Sequence, residues 1–199
     1  MSPTPVEFIA RGLIVIRGHA LVCWNPKGQY GYLPGGHIES EEPAAVALGR
    51  EMIEETGLAC RVGPLLLTHE NRFETRKRAH HEINLVFAAE IIDPSFLYND
   101  EQVCHVAQSG KTAISSRQKG SRERKGAFKT GIVPPPIPSA EAHLAFKWLT
   151  AGQFGKAEIL PGPMADWVLE VMESGLDSTV GLRPAGAPSS QWLSSMESE

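Results

Sequence analysis

The chain has 199 residues, 42% of them hydrophobic, and 19 Lys and Arg stand against 23 Asp and Glu for a formal net charge of −4. That length suits one domain with a substantial core plus peripheral segments, and two full domains would be cramped. No apolar run approaches membrane-spanning length, no leader pattern opens the chain, and Cys23, Cys60 and Cys104 lack disulfide-framework or zinc-site spacing, so a cytoplasmic protein with reduced thiols is expected.

Two apolar, β-branched runs, Val6 to Ile16 and Ala20 to Trp24, flank Arg17-Gly18-His19 and predict a hairpin. Tyr30 to Leu33 then leads into Pro34-Gly35-Gly36, where glycines let the backbone approach a metal or a phosphate closely. A helix is predicted next. Ser40 or the pair Glu41-Glu42 supplies a cap and negative charge at the positive end of the dipole, Pro43 suits the first turn, and Gly57 suits a left-handed stop. Ala45, Leu48 and Met52 give an apolar stripe, with Arg50, Glu51, Glu54 and Glu55 expected largely away from it. Glu51 lies three residues from Glu54 and four from Glu55, so one patch of helix carries all three carboxylates. Such a patch repels itself unless a cation compensates, and converging oxygen ligands suit Mg²⁺ or Mn²⁺.

The pattern Gly36-x5-Glu42-x7-Arg50-Glu51-Met52-x-Glu54-Glu55-x-Gly57-Leu58 resembles the Nudix box. Its seven fixed identities would arise by chance about once in 10⁸ windows. Met52, where the family usually has Ile, Leu or Val, and Glu41, where many members have Gly, are mild departures, and neither is a ligand position. The resemblance implies a mixed sheet sandwiched between helices, an α/β (α+β) fold with the box as a loop-helix-loop. It also implies that Glu51, Glu54 and Glu55 bind divalent cations, that the Gly36 carbonyl adds a ligand, and that Arg50 orients Glu51. Glu42 reads as structural. Nudix-like enzymes take their general base from the box or from a later loop; Glu101, Glu123 and Glu141 are candidates here, and Glu141 is preferred because it precedes a predicted strand.

After the box, Val62 to Phe73 and Glu82 to Ile92 predict longer strands. Between them Arg72, Arg76, Lys77, Arg78, His80 and His81 form a basic stretch; Arg72, Arg76 and Lys77 could reach substrate phosphates, or the stretch is an ordinary charged hairpin. From Gln108 to Gly131, seven Lys or Arg (Lys111, Arg117, Lys119, Arg122, Arg124, Lys125, Lys129) face one Glu123. That composition predicts a flexible basic insertion at about 105–139; the sharper reading is a flap over an anionic substrate or an RNA contact. His143 to Leu149 predicts a strand, and Met164, Trp167, Val168, Val171 and Met172 predict a core helix. Residues 1–176 are thus expected to form one domain, and 177–199 a loosely ordered tail whose Trp192-Leu193 could dock on the body or on a second subunit.

Cleaving a pyrophosphate needs a water made nucleophilic near neutral pH and a neutralised leaving group, and bound metal supplies both. The expected activity is metal-dependent hydrolysis of a P–O–P bond in a nucleoside diphosphate linked to another moiety, with Mg²⁺ (or Mn²⁺) as cofactor and a nucleotide-type small molecule as substrate. No membrane partner is expected, RNA is not favoured, and a homodimer fits the resemblance. Substrate groups in the family carry a proline or a tyrosine roughly sixteen to eighteen residues past the box, and Glu74-Thr75-Arg76 offers neither. Nucleoside triphosphates, NDP-sugars and related diphosphates all remain open. The alternatives are a non-catalytic nucleotide-sensing module, which often loses a ligand glutamate, and an RNA-end (cap) hydrolase clamped by the basic insertion.

Overall fold

The computed structural model describes residues 4–97 and 132–174, together with the backbone of 191–194. Strands β1 (Val6–Leu13) and β2 (Val15–Ile16) precede β3 (His19–Asn25), which folds back antiparallel on β2 with Val15 opposite Ala20. Arg17 and Gly18 at the turn both take positive φ, 52° and 74°, the signature of the mirror-image hairpin turn whose twist matches its strands. Then come β4 (Tyr30–Tyr32), β5 (Gly35–His37), α1 (Ala44–Thr56), β6 (Cys60–Glu74), β7 (Ala79–Ile91), β8 (Ala145–Thr150), α2 (Ala151–Phe154), α3 (Gly162–Glu173) and β9 (Gln191–Ser194).

Five strands form one sheet in the order β5-β1-β7-β6-β9, with the β1/β7 and β6/β9 pairs parallel and the others antiparallel. In the second sheet β3 pairs with β2, β4 and β8. Side chains alternate between the two faces of the larger sheet, and each face carries its own apolar cluster. Leu13, Leu67, Val86 and Ala88 share one cluster with Met164, Trp167, Val168 and Met172 of α3. Ala10, Phe87, Ala89 and Ile91 share the other with Ala47, Leu48 and Met52 of α1. A mixed sheet between helices is therefore the architecture, as the box resemblance implies.

Several local expectations need correction. The N-cap of α1 is Pro43, in an extended conformation, with no side-chain cap bond and no acidic residue in the first turn, so Ser40, Glu41 and Glu42 all lie outside the helix. Glu42 is instead turned back onto Arg50, which competes for its carboxylate. Gly57 does end the helix in the left-handed region (φ 72°), donating its N–H to the Ile53 carbonyl at 2.8 Å. Ala45 is exposed and Ala47 takes its place on the core stripe; Glu55, expected away from that stripe, is buried.

Of the predicted insertion at about 105–139, residues 105–131 lie outside the described residues, while 132–139 are laid onto the body. Pro134, Pro135 and Ile137 are buried there, and the Trp148 indole donates to the Pro135 carbonyl at 2.8 Å. Within the predicted tail, residues 191–194 form β9, hydrogen-bonded along β6 from Leu67 to Glu70. The outer edge of β6 otherwise presents unpaired backbone groups there, which is what a passing extended segment can satisfy. The rest of the tail is outside the described residues.

Leu48 is fully buried between α1 and the sheet. Leu48→Ala is expected to lower unfolding stability by about 2–5 kcal/mol, read as a lower urea midpoint at unchanged m-value.

Candidate active site

Arg50 organises the acidic end of the site. Its Nε and Nη2 donate to the two Glu42 carboxylate oxygens at 2.9 and 3.0 Å, Nη1 donates to Glu51 at 3.0 Å and to Glu54 at 2.9 Å, and Nη2 also reaches the His37 carbonyl at 3.0 Å. The Glu42 hydrogen bonds are the largest influence holding the Arg50 guanidinium protonated well above its ordinary range. In turn Arg50 holds the Glu42 carboxyl below the usual carboxylate range. One cation thus offsets the mutual repulsion that the helical spacing of Glu51 and Glu54 creates.

Glu51 leans against the loop before the helix. A Cβ at Gly36 would stand 2.5 Å from one Glu51 oxygen and 2.6 Å from the other, so the carboxylate packs directly on backbone that no side chain shields. Gly36 lies in β5, opposite Ala10 of β1. The turn before it is held by Arg11, whose Nη1 donates to the carbonyls of Leu33 and Gly35, both at 3.1 Å. The Arg11 guanidinium also lies 5.1 Å from the centre of the Tyr32 ring.

Glu55 is 6% exposed, and its Oε2 has no hydrogen-bond partner among the described residues. Burial pushes its carboxyl up to about 7, with Glu51 and Glu141 adding in the same direction while the Gly35 backbone N–H and Arg11 act against it. Glu141 is brought alongside by the loop at 139–141, whose Ala140 N–H donates to the Glu55 carbonyl at 2.7 Å. Glu141 itself pairs with His143 at 3.2 Å.

Gly36, Arg50, Glu51, Glu54, Glu55 and Glu141 thus come together. The carboxylates among them fit a divalent cation by their donor chemistry: Glu55 keeps a buried oxygen unpartnered among the described residues, Glu51 lies near enough for its charge to act on Glu55, and Glu51 itself packs on bare backbone at Gly36. The basic stretch does not join them. Arg72 pairs with His81 on the α1 face of the sheet. Arg76 and Lys77 occupy the β6–β7 turn, beyond Glu74 at the end of β6; Glu74 is six residues along the strand from Thr68, which is level with Gly36 in the sheet, and six residues of strand span roughly 20 Å. Glu101 and Glu123 lie outside the described residues. His37 is exposed and contributes its carbonyl to Arg50.

The sheet face toward α3 holds polar residues that sequence reasoning passed over. Arg11 Nε donates to Asn84 at 3.3 Å, and Asn84 Nδ2 reaches Glu82 at 3.4 Å. Further along, ligand atoms of Glu7, His80 and Glu82 lie within 4.8 Å of one another, a spacing that could hold a metal ion among the described residues. Glu7 is already engaged by Arg78 at 2.8 Å and by His80 at 3.4 Å. Burial alone would raise the Glu7 carboxyl, but these partners outweigh it and hold it low. The signal in the sequence was charge at Glu7 and Arg11, four apart in an apolar strand and hence on one face.

A family model described as the NUDIX domain matches residues 7–108. Among solved structures, the fold is similar to a mutator MutT protein from Bacillus halodurans, at 13% identity and TM-score 0.54, covering 86% of this chain and 85% of that one. The MutT protein from Methanosarcina mazei Go1 gives 17% identity and TM-score 0.52, covering 87% and 97% respectively. A NUDIX hydrolase from Nitrosomonas europaea gives 14% identity and TM-score 0.51, covering 98% and 81%. At these identities the likeness is one of fold.

Glu55 generates a pH test on the metal-free protein. Its folded-state pKa, raised to about 7, lies above the ordinary 4.5, so the folded state binds the proton more tightly. The associated stability is fully present below pH 4.5 and is lost as pH rises through about 7. In chelator, urea unfolding from pH 4.5 to 7.5 is expected to show a loss approaching about 3 kcal/mol that Glu55→Gln removes. An unchanged pH slope in that variant overturns the assignment.

Proposed function

The chain belongs to the Nudix hydrolase family, and we propose that it hydrolyses the P–O–P bond of a nucleoside diphosphate linked to another moiety, such as a nucleoside triphosphate or an NDP-sugar. The observation that carries this reading is the orphaned, buried Glu55 oxygen near Glu51, whose own carboxylate packs on the bare Gly36 backbone. All the donors are oxygens, which suits Mg²⁺ or Mn²⁺. Glu51, Glu54, Glu55 and the Gly36 carbonyl would hold the ion. When bound, it lowers the pKa of a coordinated water and neutralises the diphosphate.

The residues around it have distinct tasks. Arg50 fixes Glu51 against the loop and, through Glu42 and the His37 carbonyl, ties the helix start to β5. Water attacks one phosphorus, a new P–O bond forms, and the bridging P–O bond breaks with its electrons leaving on the departing phosphate. The water's proton passes to a carboxylate, for which we propose Glu141. Its loop is anchored on the last turn of α1, and its charge is felt at Glu55. The box keeps all three ligand glutamates, which favours a catalyst over a sensing module.

Release of phosphate or nucleotide should be followed with and without Mg²⁺ or Mn²⁺ across nucleoside triphosphates, NDP-sugars, ADP-ribose, dinucleoside polyphosphates and capped RNA. Metal-dependent cleavage of one class is expected. Glu54→Gln, at a half-exposed position, should lower it by at least about a hundredfold with thermal stability retained. Near-wild-type turnover in that variant, or nucleotide binding without cleavage of any of these, counts against the hydrolase reading.

A further inference from the structure

The hairpin end between β6 and β7 has no part in the box chemistry. Residues 72–79 are all exposed and carry Arg72, Arg76, Lys77 and Arg78 against Glu74 alone. Arg78 is engaged, its Nη2 donating to Glu7 at 2.8 Å. Arg72, Arg76 and Lys77 make no side-chain ion pair among the described residues. The chain as a whole is acidic, at −4, so these cations are a local concentration and not a general property of the surface.

The turn that presents them is held in shape. The Thr75 N–H and hydroxyl both donate to the Arg78 carbonyl, at 2.9 and 3.0 Å, and the hydroxyl oxygen accepts from the Arg78 N–H at 3.2 Å. Behind the turn, Phe73 and His80 lie directly opposite each other, and their rings stack with 4.6 Å between centres and 1° between planes. His80 is fixed at both nitrogens, Nδ1 lying 3.4 Å from Glu7 and Nε2 3.4 Å from Thr75. Phe73 is the outer ring of the stack; with one face on His80 it is still 38% exposed. Arg76 and Lys77 follow it by three and four residues, and Arg72 flanks it from the opposite face of the sheet.

We infer that this hairpin end binds single-stranded nucleic acid, with an unpaired base stacked on Phe73 and adjoining phosphates on Arg76 and Lys77. An acidic peptide supplies carboxylates for the cations but no flat ring for Phe73, and a duplex keeps its base faces inside its own stack. A single strand offers a base face and a phosphate side by side, and aromatic rings set among cations are what hold it without regard to sequence. The turn lies past Glu74, roughly 20 Å along β6 from the level of Gly36, so a strand bound here leaves the box clear. The inference therefore stands apart from the hydrolase reading.

The test is fluorescence anisotropy of labelled uridine and thymidine oligomers of about ten nucleotides, lacking a 5′ phosphate, on the full chain in chelator over about 50–200 mM salt. The double variant Arg76→Gln/Lys77→Gln should bind at least about tenfold more weakly at the low-salt end, with the slope of log K against log salt shallower by roughly 1.4. Phe73→Leu should lose about tenfold at an unchanged slope. Lys27→Gln/Lys156→Gln, which removes the same charge from exposed lysines elsewhere, should keep wild-type affinity. Melting temperatures should match the wild type in the two double variants, whose positions are exposed. RNA and DNA strands share the recognised chemistry; losses at the hairpin for either meet the inference, and the tighter-bound oligomer names the source. Wild-type affinity in Arg76→Gln/Lys77→Gln overturns the inference, as does a wild-type protein that binds neither oligomer. An unchanged affinity in Phe73→Leu, or equally tight binding of a poly-glutamate peptide of matching charge, also overturns it and reassigns the turn to an acidic protein partner.

Discussion

One guanidinium makes the acidic helix face tenable. Glu51 and Glu54 are three residues apart on α1, and Glu42 folds back from the preceding loop toward the same point. Without Arg50, those carboxylates would repel each other and drive the loop from the helix. With it, β5, which carries Gly36 and His37, is fastened to α1, and Glu51 is held against backbone that lacks a side chain.

The glutamates therefore live in three different environments. Glu54 is half-exposed, Glu51 is partly covered and paired, and Glu55 is enclosed with one oxygen unpartnered. Burial and neighbouring carboxylates raise the Glu55 pKa; an incoming cation would act in the opposite direction by favouring the ionised form. Arg11 contributes from the other side of the loop, bracing two carbonyls with a charge that opposes the rise at Glu55. Two arginines thus support one loop from opposite flanks.

The helix, its left-handed end at Gly57 and the long β6 and β7 strands were legible because each rests on local rules: periodicity, a conformational demand on one residue, and alternation. What was not legible depended on competition between partners. Glu42 looked available for the helix start until Arg50 was seen to hold it. Glu55 is chemically like Glu51 and Glu54, and only tertiary packing shows that it is the buried one. Arg11, Asn84 and His69 are distant in sequence and meet because β1 pairs parallel with β7 while β6 pairs antiparallel with it. No short-range pattern encodes that meeting. Thr68 and Gly36 fall at one level of the sheet for the same reason, which separates the basic hairpin turn from the box.

The pairing of β9 with β6 also bears on colloidal behaviour. β6 has 15 residues, and among the described residues β9 covers its outer side from Leu67 to Glu70. A chain lacking residues 191–194 leaves that stretch of backbone open to any extended segment, including one from another molecule. The final strand is thus a guard against self-association as well as a part of the sheet.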